Sequence, residues 1–97
     1  MLSDGGAVII DVRRPDEFES GHPPGALWIP VDEVPARAGA LPAEGDLLFI
    51  CEVGVRSGLA CEYAASLGVA PERLFNVDDG MSAWREKGFP VSTGRDG

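Results

Sequence analysis

The chain has 97 residues, with 8 basic against 16 acidic side chains and a formal net charge of -8. That length holds one domain with a modest core, and 44% apolar with 25% charged residues is the balance of a folded, soluble protein. The acidity argues against nucleic acid or an anionic membrane surface as partner, and no apolar run approaches the roughly 18 residues of a membrane span.

In chain order, Met1 to Gly6 carries no basic stretch ahead of the first apolar run, so no signal peptide and a cytoplasmic location are expected. Ala7-Val8-Ile9-Ile10 reads as a short buried strand. Pro15 then opens a short helix through Asp16, Glu17 and Phe18. Gly21 to Gly25 is a rigid turn, Leu27-Trp28-Ile29 a strand stopped by Pro30, and Asp32 a cap for a helix over Val34 to Leu41. Residues 42–46 form a loop before Leu47-Leu48-Phe49-Ile50, the strongest strand, apolar on both faces as a central parallel strand should be. After the segment 51–57, a helix runs to about Leu67, with Leu59, Ala60, Tyr63, Ala64 and Leu67 on one face and Gly68 as its stop. Leu74 to Val77 is the last strand. Asp78-Asp79-Gly80 turns into a helix from Met81 to Lys87, closed by Gly88, and Ser92 to Gly97 is a loose tail. The alternation predicts an α/β domain over 1–97, its mostly parallel sheet flanked by helices on both faces and its functional site at the carboxyl ends of the strands.

Two cysteines, Cys51 and Cys61, are too few for a disulfide framework, and with a single histidine no structural zinc site is expected. Cys51 stands where the most buried strand gives way to a helix. Amides with few partners converge there, the helix start adds partial positive charge, Gly54 permits a tight curl and Arg56 places a fixed charge at the mouth. A cysteine in such a cradle is lowered in pKa and nucleophilic. Four residues separate Cys51 from Arg56. That is one fewer than in cysteine-dependent phosphatases, so the loop suits something smaller than phosphate, such as one extra sulfur atom.

At this point the chain resembles the rhodanese-like sulfurtransferase domain. The matching residues are Ile10-Asp11-Val12-Arg13, Glu17-Phe18, Gly21-His22, Pro24-Gly25-Ala26, Ile29-Pro30, Cys51 with Gly54, Arg56 and Ser57, Leu67-Gly68, and Gly80 with Trp84 and Gly88-Phe89-Pro90. The resemblance implies that Cys51 takes sulfur from a donor such as thiosulfate, holds it as a persulfide and passes it to cyanide or a thiol. Arg56 would share the catalytic role. The segment Glu52, Val53, Gly54 and Val55 would cradle the substrate, with Asp11, Arg13, His22 and Ser57 as structural support. No metal or organic cofactor is implied, and the partners are a small sulfur donor or a protein persulfide, with a monomer expected. Three departures from the family pattern stand out. Glu52 follows the cysteine, where it should offset Arg56, raise the Cys51 pKa and disfavour thiosulfate. Asp79-Gly80 replaces a usual Gly-Gly, a turn that Asp survives by tolerating left-handed backbone. Only six residues precede the first strand, so the sheet either lacks the family's first edge strand or the chain is a fragment.

Blander readings stand beside these. Cys61 is a small boundary residue rather than a resolving thiol. His22 is a structural hydrogen-bonder, Asp11 and Arg13 an orienting ion pair, Asp78-Asp79 a solvated turn, and Trp28 and Trp84 packing. The rivals to sulfur transfer are a catalytically weak binding or regulatory module, a phosphatase or arsenate reductase, and a redox sensor that would need Cys61 to meet Cys51.

Overall fold

The four short apolar runs pair edge to edge in parallel. Strands β1 (Val8–Asp11), β2 (Leu27–Trp28), β3 (Leu47–Ile50) and β4 (Leu74–Val77) lie in the order β2-β1-β3-β4. Ile10 pairs with Leu27 on one side and Phe49 on the other, and Phe49 with Asn76. The computed structural model describes residues 7–37, 39, 41, 45–77 and 79–94. The N-terminal six residues, most of the 42–46 loop and Asp78 of the last turn therefore lie outside the described residues. The connections carry helices α1 (Pro15–Ser20), α2 (Val34–Arg37) and α3 (Val55–Ser66), and α4 (Gly80–Glu86) follows β4.

Period-two alternation splits the core. Ile10, Val12, Leu47, Phe49 and Cys51 face one side with Val34 of α2 and Ala60 and Ala64 of α3. Ile9 and Ile50 face the other, with Phe18 of α1 and Met81 of α4. The sheet is thus covered on both faces, as the element order predicts. Cys51 continues the Leu47-Phe49 row, which aims its side chain at α3.

Three local expectations change. Asp32 caps nothing, because a 3-10 turn over Val31–Glu33 with Pro30 at its start already leads into α2. Pro30 fixes its own φ and so brings the coil on early. The buried stripe of α3 is Ser57, Ala60 and Ala64, while Leu59 and Leu67 are 39% and 50% exposed. The helix is oriented by its first turn: Ser57 faces the cysteine, and the residues three and seven further on follow it onto the sheet. The tail is tied down as far as Gly94. Ser92 and His22 exchange both backbone hydrogen bonds, and the Gly94 amide donates to the Glu19 carbonyl.

Asp11 and Arg13 hold the carboxyl end of β1. Both are buried, at 0% and 1% exposure. The Arg13 guanidinium donates to both carboxylate oxygens of Asp11 and to the Gly21 carbonyl, which joins the strand end to the turn after α1. The Trp28 indole donates to the Arg13 carbonyl at 3.0 Å. Asp11→Ala strands a guanidinium in the interior, and the expected cost is about 3–5 kcal/mol, read as a fall in the urea midpoint.

Candidate functional site

The loop after β3 is folded around one sulfur atom. Cys51 is 1% exposed. The Gly54 amide donates to its Sγ at 3.0 Å, and the Ser57 hydroxyl lies 3.4 Å from it. Gly54 also starts α3, at φ 93°, where a side chain would be strained. The loop's own carbonyls are taken up on the far side: the Met81 amide donates to Cys51 O at 2.8 Å and the Ser82 amide to Glu52 O at 3.1 Å. In a planar trans peptide the next N–H points the opposite way. The amides of Glu52 and Val53 therefore face away from α4, and that of Val53 joins Gly54 in hydrogen-bonding the sulfur.

Gly80 makes this approach possible. Its φ is 63°, and a Cβ there would lie 2.6 Å from the Cys51 carbonyl oxygen and closer still to that of Glu52. Asp79 needs no left-handed tolerance: its backbone is right-handed, with φ -80°, and the positive φ falls on Gly80 alone.

The charges sort differently from the sequence expectation. Glu52 does not offset Arg56. Its carboxylate is paired with Arg85 of α4 and lies 3.6 Å from the Arg13 guanidinium. Arg56 is held instead by Glu17, through contacts of 2.6 and 3.0 Å. Glu17 also accepts from the Arg14 amide at 3.0 Å, capping α1. The Arg56 hydrogen bonds outweigh burial and hold the Glu17 carboxyl down at about 2. Burial pushes the Cys51 thiol up, but hydrogen bonds from the Ser57 side chain and from the backbone at Ser57, Gly54 and Val53 outweigh it, so the pKa is lowered from 9.0. The rise expected from Glu52 does not prevail: the Cys51 pKa is lowered, and the Glu52 carboxylate is directed to two arginines. Burial and Glu62 raise the Cys61 thiol.

Cys51, Val53, Gly54 and Ser57 thus meet at the sulfur. Val55 is 75% exposed on the rim, and Arg56 is turned towards α1. Asp11 and Arg13 lie beneath the loop as a buried pair. Cys61 is half-buried on α3 and unbonded to Cys51. His22 is buried on the α1 side, stacked on Phe18 at 3.8 Å, with Nδ1 donating to the Phe18 carbonyl. No metal-binding cluster occurs among the described residues. Sequence reasoning missed Asn76, which donates to Gly54 O at 3.1 Å and accepts from the Ser57 hydroxyl. A polar residue inside Leu74-Phe75-Asn76-Val77 was the available signal.

A cleft of about 440 Å³ adjoins the loop. Val12, Pro30 and Val31 form its apolar side, and Arg14, Glu17, Asp32 and Arg56 its charged side. These residues follow the carboxyl ends of β1, β2 and β3. The cleft sits where the connections from β1 and β3 diverge, the usual ligand crevice of an open parallel sheet.

Comparison with known proteins points one way. The family model described as "Rhodanese-like domain" matches residues 1–87. A sulfurtransferase of Allochromatium vinosum is 33% identical over 84 residues, covering 87% of this chain and 77% of the relative. The HTH-type transcriptional regulator Rv0324 of Mycobacterium tuberculosis is 33% identical over 90 residues, 93% of this chain but only 39% of that protein. The crystal structure of a rhodanese-like domain protein from Staphylococcus aureus superposes with a TM-score of 0.80 at 30% identity, covering 97% of this chain and 88% of that one.

Two outcomes are expected from this geometry. Gly80→Ala adds roughly 1–2 kcal/mol of backbone strain and a collision with the loop carbonyls. Both the melting temperature and the rate of Cys51 alkylation by iodoacetamide should fall. The Glu17–Arg56 pair contributes stability that is complete above pH 4.5 and is lost as the pH falls through about 2. Acid titration followed by circular dichroism should show that loss in the native chain and a shallower one in Glu17→Gln.

Proposed function

The chain belongs to the rhodanese-like family, and on that premise we propose that it is a sulfurtransferase whose Cys51 carries sulfur as a persulfide. The relatives named sulfurtransferase support sulfur transfer in general. The observation that carries the finer reading is the buried Cys51 sulfur, hydrogen-bonded by the Gly54 amide and Ser57 in a loop whose carbonyls point away.

In the first step the Cys51 thiolate attacks the outer sulfur of the donor. A sulfur–sulfur bond forms at Cys51 and the donor's own breaks, its electron pair leaving with sulfite when thiosulfate is the donor. The amides of residues 52 to 55 receive the new terminal sulfur. In the second step cyanide or a thiolate attacks that sulfur, and the pair of the breaking bond returns to Cys51 as thiolate. Arg56, anchored by Glu17, frames the mouth, and the cleft beyond it gives the acceptor its approach.

A protein or low-molecular-weight persulfide suits this rim better than thiosulfate. Val53 and Val55 flank the loop at 60% and 75% exposure, an apolar surface for a carrier to cover. The net charge of -8 opposes a dianionic donor at long range. A regulatory reading is favoured by one observation, the likeness to part of a transcriptional regulator.

Intact-mass spectrometry separates these readings. After incubation with thiosulfate, and separately with a glutathione persulfide, the chain should gain the mass of one sulfur atom. The gain should be larger with the persulfide, absent in Cys51→Ser and reversed by cyanide. No gain with either donor would overturn the enzyme reading in favour of the regulatory module.

A further inference from the structure

The side chain of Asn76 reaches the sulfur by two routes. Through its Nδ2 it donates to the carbonyl of Gly54, the residue whose amide donates to Cys51 Sγ. Through its Oδ1 it accepts from Ser57, whose hydroxyl lies 3.4 Å from that sulfur. Helix α3 makes room for it. Gly58 is a helix-interior glycine, a choice that costs roughly 1 kcal/mol against alanine, and a Cβ there would press to 3.3 Å from Asn76 Nδ2.

Proton counting then fixes directions. A carbonyl only accepts, so the amide NH2 of Asn76 must face Gly54 and its oxygen must face Ser57. That oxygen also only accepts, so the Ser57 hydrogen points to Asn76. A hydroxyl has one hydrogen. Towards Cys51 it then offers lone pairs, which suit a neutral S–H and repel a thiolate. When Cys51 ionises, the Ser57 hydrogen must swing to the sulfur and Asn76 Oδ1 loses it.

We infer that Asn76 is a positioning residue that competes with the Cys51 thiolate for the single Ser57 proton, while its second arm steadies the Gly54 amide. The inference rests on Cys51 as the reacting atom and not on any particular sulfur donor. One side chain on an edge strand thereby sets how readily the nucleophile forms.

The test is the pH dependence of Cys51 alkylation by iodoacetamide, followed by peptide mass mapping so that Cys61 does not contribute. It needs no sulfur donor, so its outcome is independent of the persulfide reading. Four chains are compared: native, Asn76→Ala, Ser57→Ala and the double variant. Removing Asn76 should lower the titration midpoint by about half a unit when Ser57 is present, the worth of one neutral hydrogen bond. It should not lower the midpoint in the Ser57→Ala background. A purely structural role would raise the midpoint, or shift it equally in both backgrounds, and either result overturns the inference. If circular dichroism shows Asn76→Ala unfolded, Asn76→Thr replaces it, because threonine suits a strand and is too short to reach Ser57.

Discussion

A backbone amide can serve a buried anion only if the carbonyl on the other side of its peptide plane is served elsewhere. The Cys51 loop meets that condition through the first turn of α4, where Met81 and Ser82 take up the carbonyls of Cys51 and Glu52. Gly80 lets α4 come close enough, and Gly54 lets the chain curl back so that its amide reaches the sulfur. The environment of the Cys51 sulfur is therefore built from two strand-to-helix connections, β3 to α3 and β4 to α4, which meet at the carboxyl end of the sheet. Buried Asp11 and Arg13 keep the neighbouring strand end in place beneath them.

Charge around the loop is arranged in closed pairs. Glu52 is committed to Arg85 and Arg13, and Arg56 to Glu17. What remains to stabilise negative sulfur is the fixed dipole of the Gly54 amide and its neighbours, with the Ser57 hydroxyl turning in from Asn76. Dipoles aimed at a point need little reorganisation when charge appears there. A site of this kind is also less exposed to salt than one that relies on an open cation.

Much of this was legible in the chain. Four apolar runs separated by turn residues announced a parallel sheet, and a cysteine between the most buried run and a helix marked the loop that closes on its own sulfur. The orientation of α3 was not legible. Leu59 and Leu67 dominate its hydrophobic mass, yet the helix is turned by Ser57, which has to face the sulfur. The ion pairing was not legible either. Glu52 is four residues from Arg56 but pairs with Arg85, and Glu17 is 39 residues from the arginine it holds. Those choices depend on which loops the strand order brings together, and local spacing carries no record of it. Asp79 shows the same limit in small: the positive φ fell on the glycine after it.

The depth of Cys51 has a consequence for regiochemistry. A persulfide offers an attacking nucleophile two electrophilic atoms. Attack at the inner one would expel hydrogen sulfide and leave the attacker tethered to the protein in a dead-end mixed disulfide. Attack at the outer one hands the atom on. Which sulfur yields depends on access as much as on leaving-group strength. With Cys51 1% exposed and its Sγ walled by Gly54 and Ser57, the inner atom is screened on the sides an incoming group would use. In the proposed Cys51 persulfide, the packing that hides the cysteine thus decides which bond is broken.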